Sequence, residues 1–371
     1  GEASGKKYIH KSEFTSRPRE GYCKRTLRTC YGPSDSKDNS DTSSETASDE
    51  ESSMGNSLVE DTNYRLYNLP LNNVHLVGRS EPLPESQVSL AERICGPSRT
   101  CPEAAAEDCQ TTNRQSEERL GLLLECDVED GFQNQLTKKI GYTVGVQCSR
   151  RVHIDFDHVP HKPDVAQGNK LSQPVPDLLY GYKRSLFEQN GATVDSMLAK
   201  CMSANKAILM LPFLAIEIKG QWPPSSGNLC VAENQAAGSS SACVKMAEHL
   251  NECLEHKTMA RIDSTAFSIA TNGSEARLFM TWKEGTDTFK VKHLRSYCLA
   301  EEDHYIAFHG ALYNILDWGY NERLTSIGSC LKVLGGNGTG RAGVLGRRGQ
   351  DEDETELETG ETPCKRQKLW E

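Results

Sequence analysis

The chain has 371 residues, 42 Lys+Arg against 52 Asp+Glu and a formal charge of −10, with 36% hydrophobic and 7% aromatic residues. Adding its 30 glycines brings the apolar share to about 44%, just under the ~45–50% of an average globular protein. These figures exclude a membrane protein and a basic DNA coat, and the length admits one large domain or two ordinary ones.

The charge is patchy. Residues 1–33 hold eight Lys/Arg and three acids, and residues 34–61 hold nine acids, one Lys and nine Ser. Residues 334–371 hold eight acids and six Lys/Arg, which leaves 27 bases and 32 acids for the middle, a local −5. Like-charge blocks mixed with Ser and Gly bury too little apolar surface to offset their ordering entropy. Residues 1–61 and 334–371 are therefore expected to be disordered tails. The folded domain is expected over 62–333, opening with an extended arm over 62–110.

In chain order, the arm Tyr64 to Leu90 is broken by Pro70, Pro82 and Pro84. Gln115 to Cys126 has helical spacing. Gly141 to Cys148 alternates and is rich in β-formers, and Arg151 to Val159 alternates Val152, Ile154 and Phe156 with polar residues; both read as strands. Pro176 to Tyr182 is a short apolar stretch, and Val194 to Ala204 reads as a helix. Phe213 to Lys219 has the strongest β pattern. Leu229 to Ala232 reads as a brief buried strand, followed by a helix from Glu233 to Leu254. Ala266 to Thr271 and Ala276 to Trp282 flank Asn272-Gly273, a type I′ hairpin signal. Residues 303–333 read as two helices around Gly319. This order predicts an α/β (α+β) fold with one central mixed sheet flanked by helices.

The 14 cysteines contain no Cys-x-x-Cys pair, and Cys95, Cys101 and Cys109 lack zinc-site spacing. Reduced, mostly buried thiols are expected. His153, Asp155, Asp157, His158 and His161 look like a metal cluster, but alternation explains the first three as one strand edge. Gly338 to Gly343 fits G-x-G-x-x-G but follows a helix, so it reads as a linker. Asp317-Trp318-Gly319 reads as a helix end packed by an aromatic.

The most informative residues are Glu217 and Lys219 in FLAIEIKG. On a strand they share one face, and Ile216 and Ile218 take the other. Charges in so apolar a strand are costly unless paired or used. Upstream, Pro176-Asp177 opens another short strand. The set Pro-Asp … Glu-x-Lys resembles the PD-(D/E)XK superfamily of restriction-endonuclease-like nucleases. The ordered segments PDLLYGY, PFLAIEIKG, AENQAAGSS, TAFSIATNG and NILDWG also look like a fungal family of uncharacterised nuclease-like proteins.

That resemblance implies a restriction-endonuclease-like core. It implies Asp177 and Glu217 as ligands of Mg²⁺ or Mn²⁺, Lys219 as the group that activates water or stabilises charge, and Gln235 as an orienting residue at the start of the next helix. Hard oxygen ligands suit such ions. The family's acid from the first helix falls to Glu118 or Glu125. The expected reaction is phosphodiester hydrolysis of DNA or RNA; the alternative is an inactive nuclease fold serving as a binding module. Lys183-Arg184, Arg150-Arg151 and Lys290 to Arg295 are candidate nucleic-acid contacts. The first 30 residues lack an apolar signal core, and the run Ala207 to Ile216 is too short to span a bilayer. An intracellular protein is expected, with Lys365-Arg366-Gln367-Lys368 as a nuclear import signal.

Overall fold

The computed structural model of the chain describes residues 58–98, 102–118, 124–139, 146–189, 194–205, 209–221, 228–255 and 260–336. The Gly-rich motif, the Ser/acidic block before residue 58 and the basic cluster near the C-terminus lie outside these residues. Val59 is 3% exposed and packs into the core, so the folded domain starts earlier than residue 62.

The arm begins with a π-helical turn, Tyr64–Asn68, running into Leu69–Leu71. The first strand, β1 (Val74–Val77), follows, then α1 (Glu85–Cys95) and α2 (Pro102–Glu118). The arm is thus largely helical, and the expected single helix across 115–126 is instead the end of α2 and the start of α3 (Glu125–Lys139). Next come β2 (Val146–Arg150) and β3 (Leu178–Lys183), the short helices α4 (Arg184–Gln189) and α5 (Ser196–Met202), and β4 (Leu209–Ile218). The long helix α6 (Leu229–Glu255) leads to β5 (Ala266–Thr271), β6 (Glu275–Glu284) and β7 (Thr288–Cys298). α7 (Glu302–Trp318), a π-helical turn Gly319–Arg323 and α8 (Leu324–Gly336) close the fold.

The seven strands form one mixed sheet in the order β1-β7-β6-β5-β4-β3-β2. Strands β2, β3 and β4 pair antiparallel, β4 and β5 pair parallel across the α6 crossover, and β1 adds in parallel to β7 at the far edge. Every residue of β4 is buried, as a central strand covered on both faces requires. Helix α6 lies on the face that carries Glu217. There Ser239, Ser240 and Ser241 are fully buried, and small side chains let helix and sheet approach closely. Thr281 donates to the Ser240 hydroxyl, which itself donates to the Ala236 carbonyl, so these two hydroxyls are satisfied, whereas the Ser241 hydroxyl has no partner. Phe267, out of phase with that face by one residue, meets Trp318 of α7 edge-on at 5.4 Å, so α7 covers the other side.

Four sequence expectations are corrected. Residues 151–159 are not a strand: β2 stops at Arg150, Arg151 takes a positive φ of 47°, and a 3-10 turn forms at Phe156–His158. Long-range bonds from Ile154 N–H to the Pro174 carbonyl and from Asp155 N–H to the Ala204 carbonyl replace a ladder. Leu229 to Ala232 is the first turn of α6 and not a strand, because the Asn228 side chain accepts the Val231 N–H and caps the helix. In the β5–β6 hairpin, Asn272 pairs with Glu275, so the two central turn residues are Gly273 and Ser274. Gly273, at φ 89°, holds the first central position, the pattern of a type II′ turn in place of type I′. Of the ten described cysteines, all free, only Cys109, Cys243 and Cys330 are buried; Cys126, Cys230 and Cys298 are exposed.

A buried carboxylate pair with a lysine

Asp177 sits immediately before β3, and the pairing of Leu178 with Ile216 places it alongside Glu217 on β4. Both side chains are inside the protein, Asp177 at 6% exposure and Glu217 at 1%. The Ile218 N–H donates to Asp177 Oδ2 at 2.7 Å, and the Ser239 hydroxyl of α6 donates to Glu217 Oε1 at 2.6 Å. Strand pairing and helix packing thus fix one oxygen of each carboxylate.

Lys219 follows the end of β4, its backbone N–H donating to the Thr271 carbonyl. Its Nζ lies 3.8 Å from Glu125 Oε2, at the start of α3. Of the two candidates for the first-helix acid, the structure places Glu125, and not Glu118, against this lysine. Arg151 closes the cluster: Nη2 is 3.3 Å from Glu125 Oε1 and 2.8 Å from Glu129 Oε2, and Nε is 3.4 Å from Asp177 Oδ1. Its left-handed backbone aims the guanidinium at three carboxylates, and such strain is a common mark of functional sites. The contributions of Glu129, Arg151 and Ser239 were not legible in the sequence. Arg150-Arg151 reads there as a surface basic pair, yet Arg150 is spent on Glu129.

Burial raises the Glu217 carboxyl to about 8, and the nearby Asp177 charge pushes it further the same way. Burial likewise raises Asp177 to about 6, against the opposing pull of the Ile218 N–H and Lys219. Near neutral pH the pair therefore retains a proton, which resides mainly on Glu217. The folded protein binds this proton more tightly than the unfolded chain. The resulting stability is complete below the ordinary glutamate pKa and is lost as pH rises through about 8. Glu217→Gln keeps the acceptor for Ser239 but removes the charge. Without divalent ions, its urea-unfolding free energy is expected to change less between pH 5 and 8.5 than that of wild type, by on the order of 2 kcal/mol. Parallel pH profiles for the two proteins would contradict the assignment.

Gln235 is in the second turn of α6, not at its start, because the helix begins at Leu229. It lies four residues before Ser239, on the same face. Its Oε1 is shielded from solvent and has no hydrogen-bond partner. With Tyr64, Ser172 and Asn234 it lines a cavity of about 20 Å³ beside Pro174 and Val175, room for about one water. The structure thus brings together Asp177, Glu217 and Lys219, with Gln235 one helical turn away.

Elsewhere, His158 is bonded to the Ser203 carbonyl and His161 stacks on Phe156, with ring centroids 4.4 Å apart. Among the described residues no group of three or more His, Cys, Asp or Glu side chains is placed to hold a metal. Two carboxylates are nonetheless a sufficient protein contribution for Mg²⁺, which retains waters and shares substrate oxygens. Of the other candidate basic contacts, Arg184 pairs with Glu188, Lys290 with Glu81 and Glu284, and Lys292 with backbone carbonyls, while Lys183 is exposed. No helix among the described residues is long and apolar enough to cross a membrane.

Residues 124–331 match the model of a family described as a domain of unknown function, DUF7924. The match opens next to Glu125 and covers Asp177, Glu217, Lys219 and Gln235. No curated protein matches the chain.

Proposed function

Given that the chain belongs to the DUF7924 family, we propose that it is a metal-dependent nuclease that hydrolyses phosphodiester bonds in nucleic acid. The observation that carries this reading is the buried Asp177–Glu217 pair beside Lys219, with Glu125 supplied by the first helix of the matched region. Its resemblance to the PD-(D/E)XK nucleases, whose acids hold a metal on a mixed sheet, adds support.

The donor set fits Mg²⁺ or Mn²⁺. It consists of hard oxygens, and the Asp177 repulsion that adds to burial in raising Glu217 is the kind a divalent cation relieves. Asp177 and Glu217 would hold the ion, which when bound acidifies water and offsets charge on the reacting phosphate. Asp177 and Glu217 must give up their shared proton to serve as ligands, so cation affinity should rise with pH. The Ser239 and Ile218 bonds hold the carboxylates in place, which limits reorganisation on binding. Lys219 lies within reach of Glu125 and presents an ammonium at the same strand end, where it steadies the attacking water or the developing negative charge. Gln235 orients water from the helix side. The basic cluster Lys365 to Lys368 supports a nuclear setting for this activity.

Calorimetric titration of the full chain with Mn²⁺ at pH 7 and pH 8 tests the reading. Wild type is expected to bind, more tightly at the higher pH, releasing close to one proton at pH 7, and Asp177→Asn to bind at least ~30-fold more weakly. Binding that survives in Asp177→Asn would overturn the assignment of ligands.

A further inference from the structure

We propose that Arg151 is a tethered counter-cation of the carboxylate site: its guanidinium holds Asp177 Oδ1 before a metal binds and yields that oxygen to a divalent cation, so that Arg151 sets the cation affinity of the site. The inference rests on the reading of Asp177 and Glu217 as metal ligands, but not on cleavage.

The fold already uses one oxygen of each carboxylate. Asp177 Oδ2 accepts the Ile218 N–H at 2.7 Å, and Glu217 Oε1 accepts the Ser239 hydroxyl at 2.6 Å. Oδ1 is the oxygen of Asp177 left to a cation, and Arg151 Nε stands 3.4 Å from it. That contact is the loose end of the fork. At the other end Nη2 lies 2.8 Å from Glu129 Oε2 and 3.3 Å from Glu125 Oε1. A charge-assisted N–H···O bond runs about 2.7–2.9 Å, so the Glu129 contact is a full bond and the Asp177 contact is not. A small rotation that keeps Nη2 on Glu129 frees Oδ1, and two acids of α3 retain the guanidinium charge.

The backbone fixes this arrangement independently of the side chain. The Arg151 N–H bonds to the Pro176 and Asp177 carbonyls at 3.1 and 3.2 Å, so the arginine is anchored to the residue whose carboxylate it covers. Its φ of 47° belongs to a left-handed conformation that Asn also adopts. The neighbouring Arg150 pairs instead with Glu129 and Asp130. The Arg151 side chain is 36% exposed, so solvent screens its pull on Asp177 and a reagent can reach the guanidinium. A positive group held against a metal ligand offsets the repulsion within the carboxylate pair, and it competes with any cation that enters the pair.

Calorimetric titration of the full chain with Mn²⁺ at pH 8 tests the proposal on wild type, Arg151→Asn and Arg150→Gln. Arg151→Asn is expected to bind ~10-fold more tightly than wild type, and Arg150→Gln to stay within about threefold of it. An arginine that only clamps α3 to the sheet would leave binding unchanged or weaken it on removal. Unchanged or weaker binding in Arg151→Asn, beside a wild type that binds, would therefore overturn this inference and leave the ligand assignment standing. Equal tightening in both variants would overturn it as well, since any lost positive charge would then suffice. Absence of binding in all three proteins would overturn the ligand assignment and this inference together. Should Arg151→Asn fail to fold, wild type alone decides: phenylglyoxal labelling, mapped by mass spectrometry, is expected to speed up severalfold at Arg151 when Mn²⁺ is added and to stay constant at Arg150. The same Arg151 labelling rate with and without the ion would mean that the guanidinium never leaves Asp177, and the proposal would fall.

Discussion

Lys219→Ala is expected to lower the rate of Mg²⁺-dependent phosphodiester cleavage by ~10²–10³-fold while leaving Mn²⁺ affinity within about threefold of wild type. Lys219 is outside the carboxylate pair, so its loss should not remove a ligand. Its Nζ lies 3.8 Å from Glu125 Oε2 at the end of β4, with 12% of the side chain exposed. A preorganised ammonium of this kind acts mainly on charge that develops during reaction, so kcat should fall more than KM rises. Lys219→Arg, which keeps the charge but spreads it over a planar fork, should recover part of the rate. Equal loss of cleavage and of Mn²⁺ binding in Lys219→Ala would mean that the lysine shapes the carboxylate site and does not act on substrate. Single-turnover kinetics alongside calorimetry separates the two.

Arg323→Ala is expected to destabilise the domain by ~3–5 kcal/mol in urea unfolding. Arg323 ends the π-helical turn between α7 and α8 and is only 2% exposed. Its Nη1 donates to the Leu211 carbonyl at 3.0 Å and to the Tyr182 hydroxyl at 3.4 Å. Its guanidinium carbon stands 5.7 Å from the ring centres of Tyr182 and Phe213 and 5.9 Å from that of Trp318. Leu211 has a φ of 42°, rare for a leucine, just where β4 shifts register against β3. The arginine therefore holds a strained residue and fills an aromatic cage at once. Tyr182 donates to the Gly319 carbonyl, and a side chain at Gly319 would run into the Phe213 ring, so the junction has little room to relax.

Arg323→Met distinguishes the two contributions. Methionine keeps most of the volume and removes a buried charge whose Nε and Nη2 lack partners, but it leaves the Leu211 carbonyl without its donor. A loss of ~1–2 kcal/mol is expected for it. If alanine and methionine cost the same, packing in the cage contributes little and the hydrogen bond to Leu211 carries the effect.

The parts of the fold that were legible in the sequence are those whose signal is local. Phe213 to Lys219 reads as a strand because its apolar run is too uniform for a surface element, and the structure extends it back to Leu209. Leu229 to Ala232 misleads because four apolar residues look alike as a buried strand or a first helical turn. Asn228, the cap, was the signal that separates them. Arg151 to Val159 alternates like a strand but is fixed by distant partners, Pro174 and Ala204. β7 is hidden by its charge: Lys290 and Lys292 read as a basic cluster, while Phe289 and Val291, which alternate with them, are buried.

The candidate site divides the same way. Glu217 and Lys219 share a strand face by spacing alone, and Pro176-Asp177 follows from the same pattern. Their juxtaposition with Glu125 depends on α3 docking at the end of β4, which no local spacing encodes. Gln235 reads as a helix-start residue, but the helix begins six residues earlier, at Leu229. Ser239 stood in a run that reads as small residues for close packing, and one of those hydroxyls also serves as the donor that holds Glu217.

The most direct test of the central claim is cleavage of supercoiled plasmid, single-stranded DNA and RNA by the full chain, with Mg²⁺ or Mn²⁺ and with EDTA, beside Asp177→Asn and Glu217→Gln. The expected result is cation-dependent cleavage of at least one substrate by wild type, abolished by EDTA and reduced ~10³-fold or more in both variants. No cleavage of any substrate by folded, cation-binding wild type, or cleavage at wild-type rate in both variants, would contradict it.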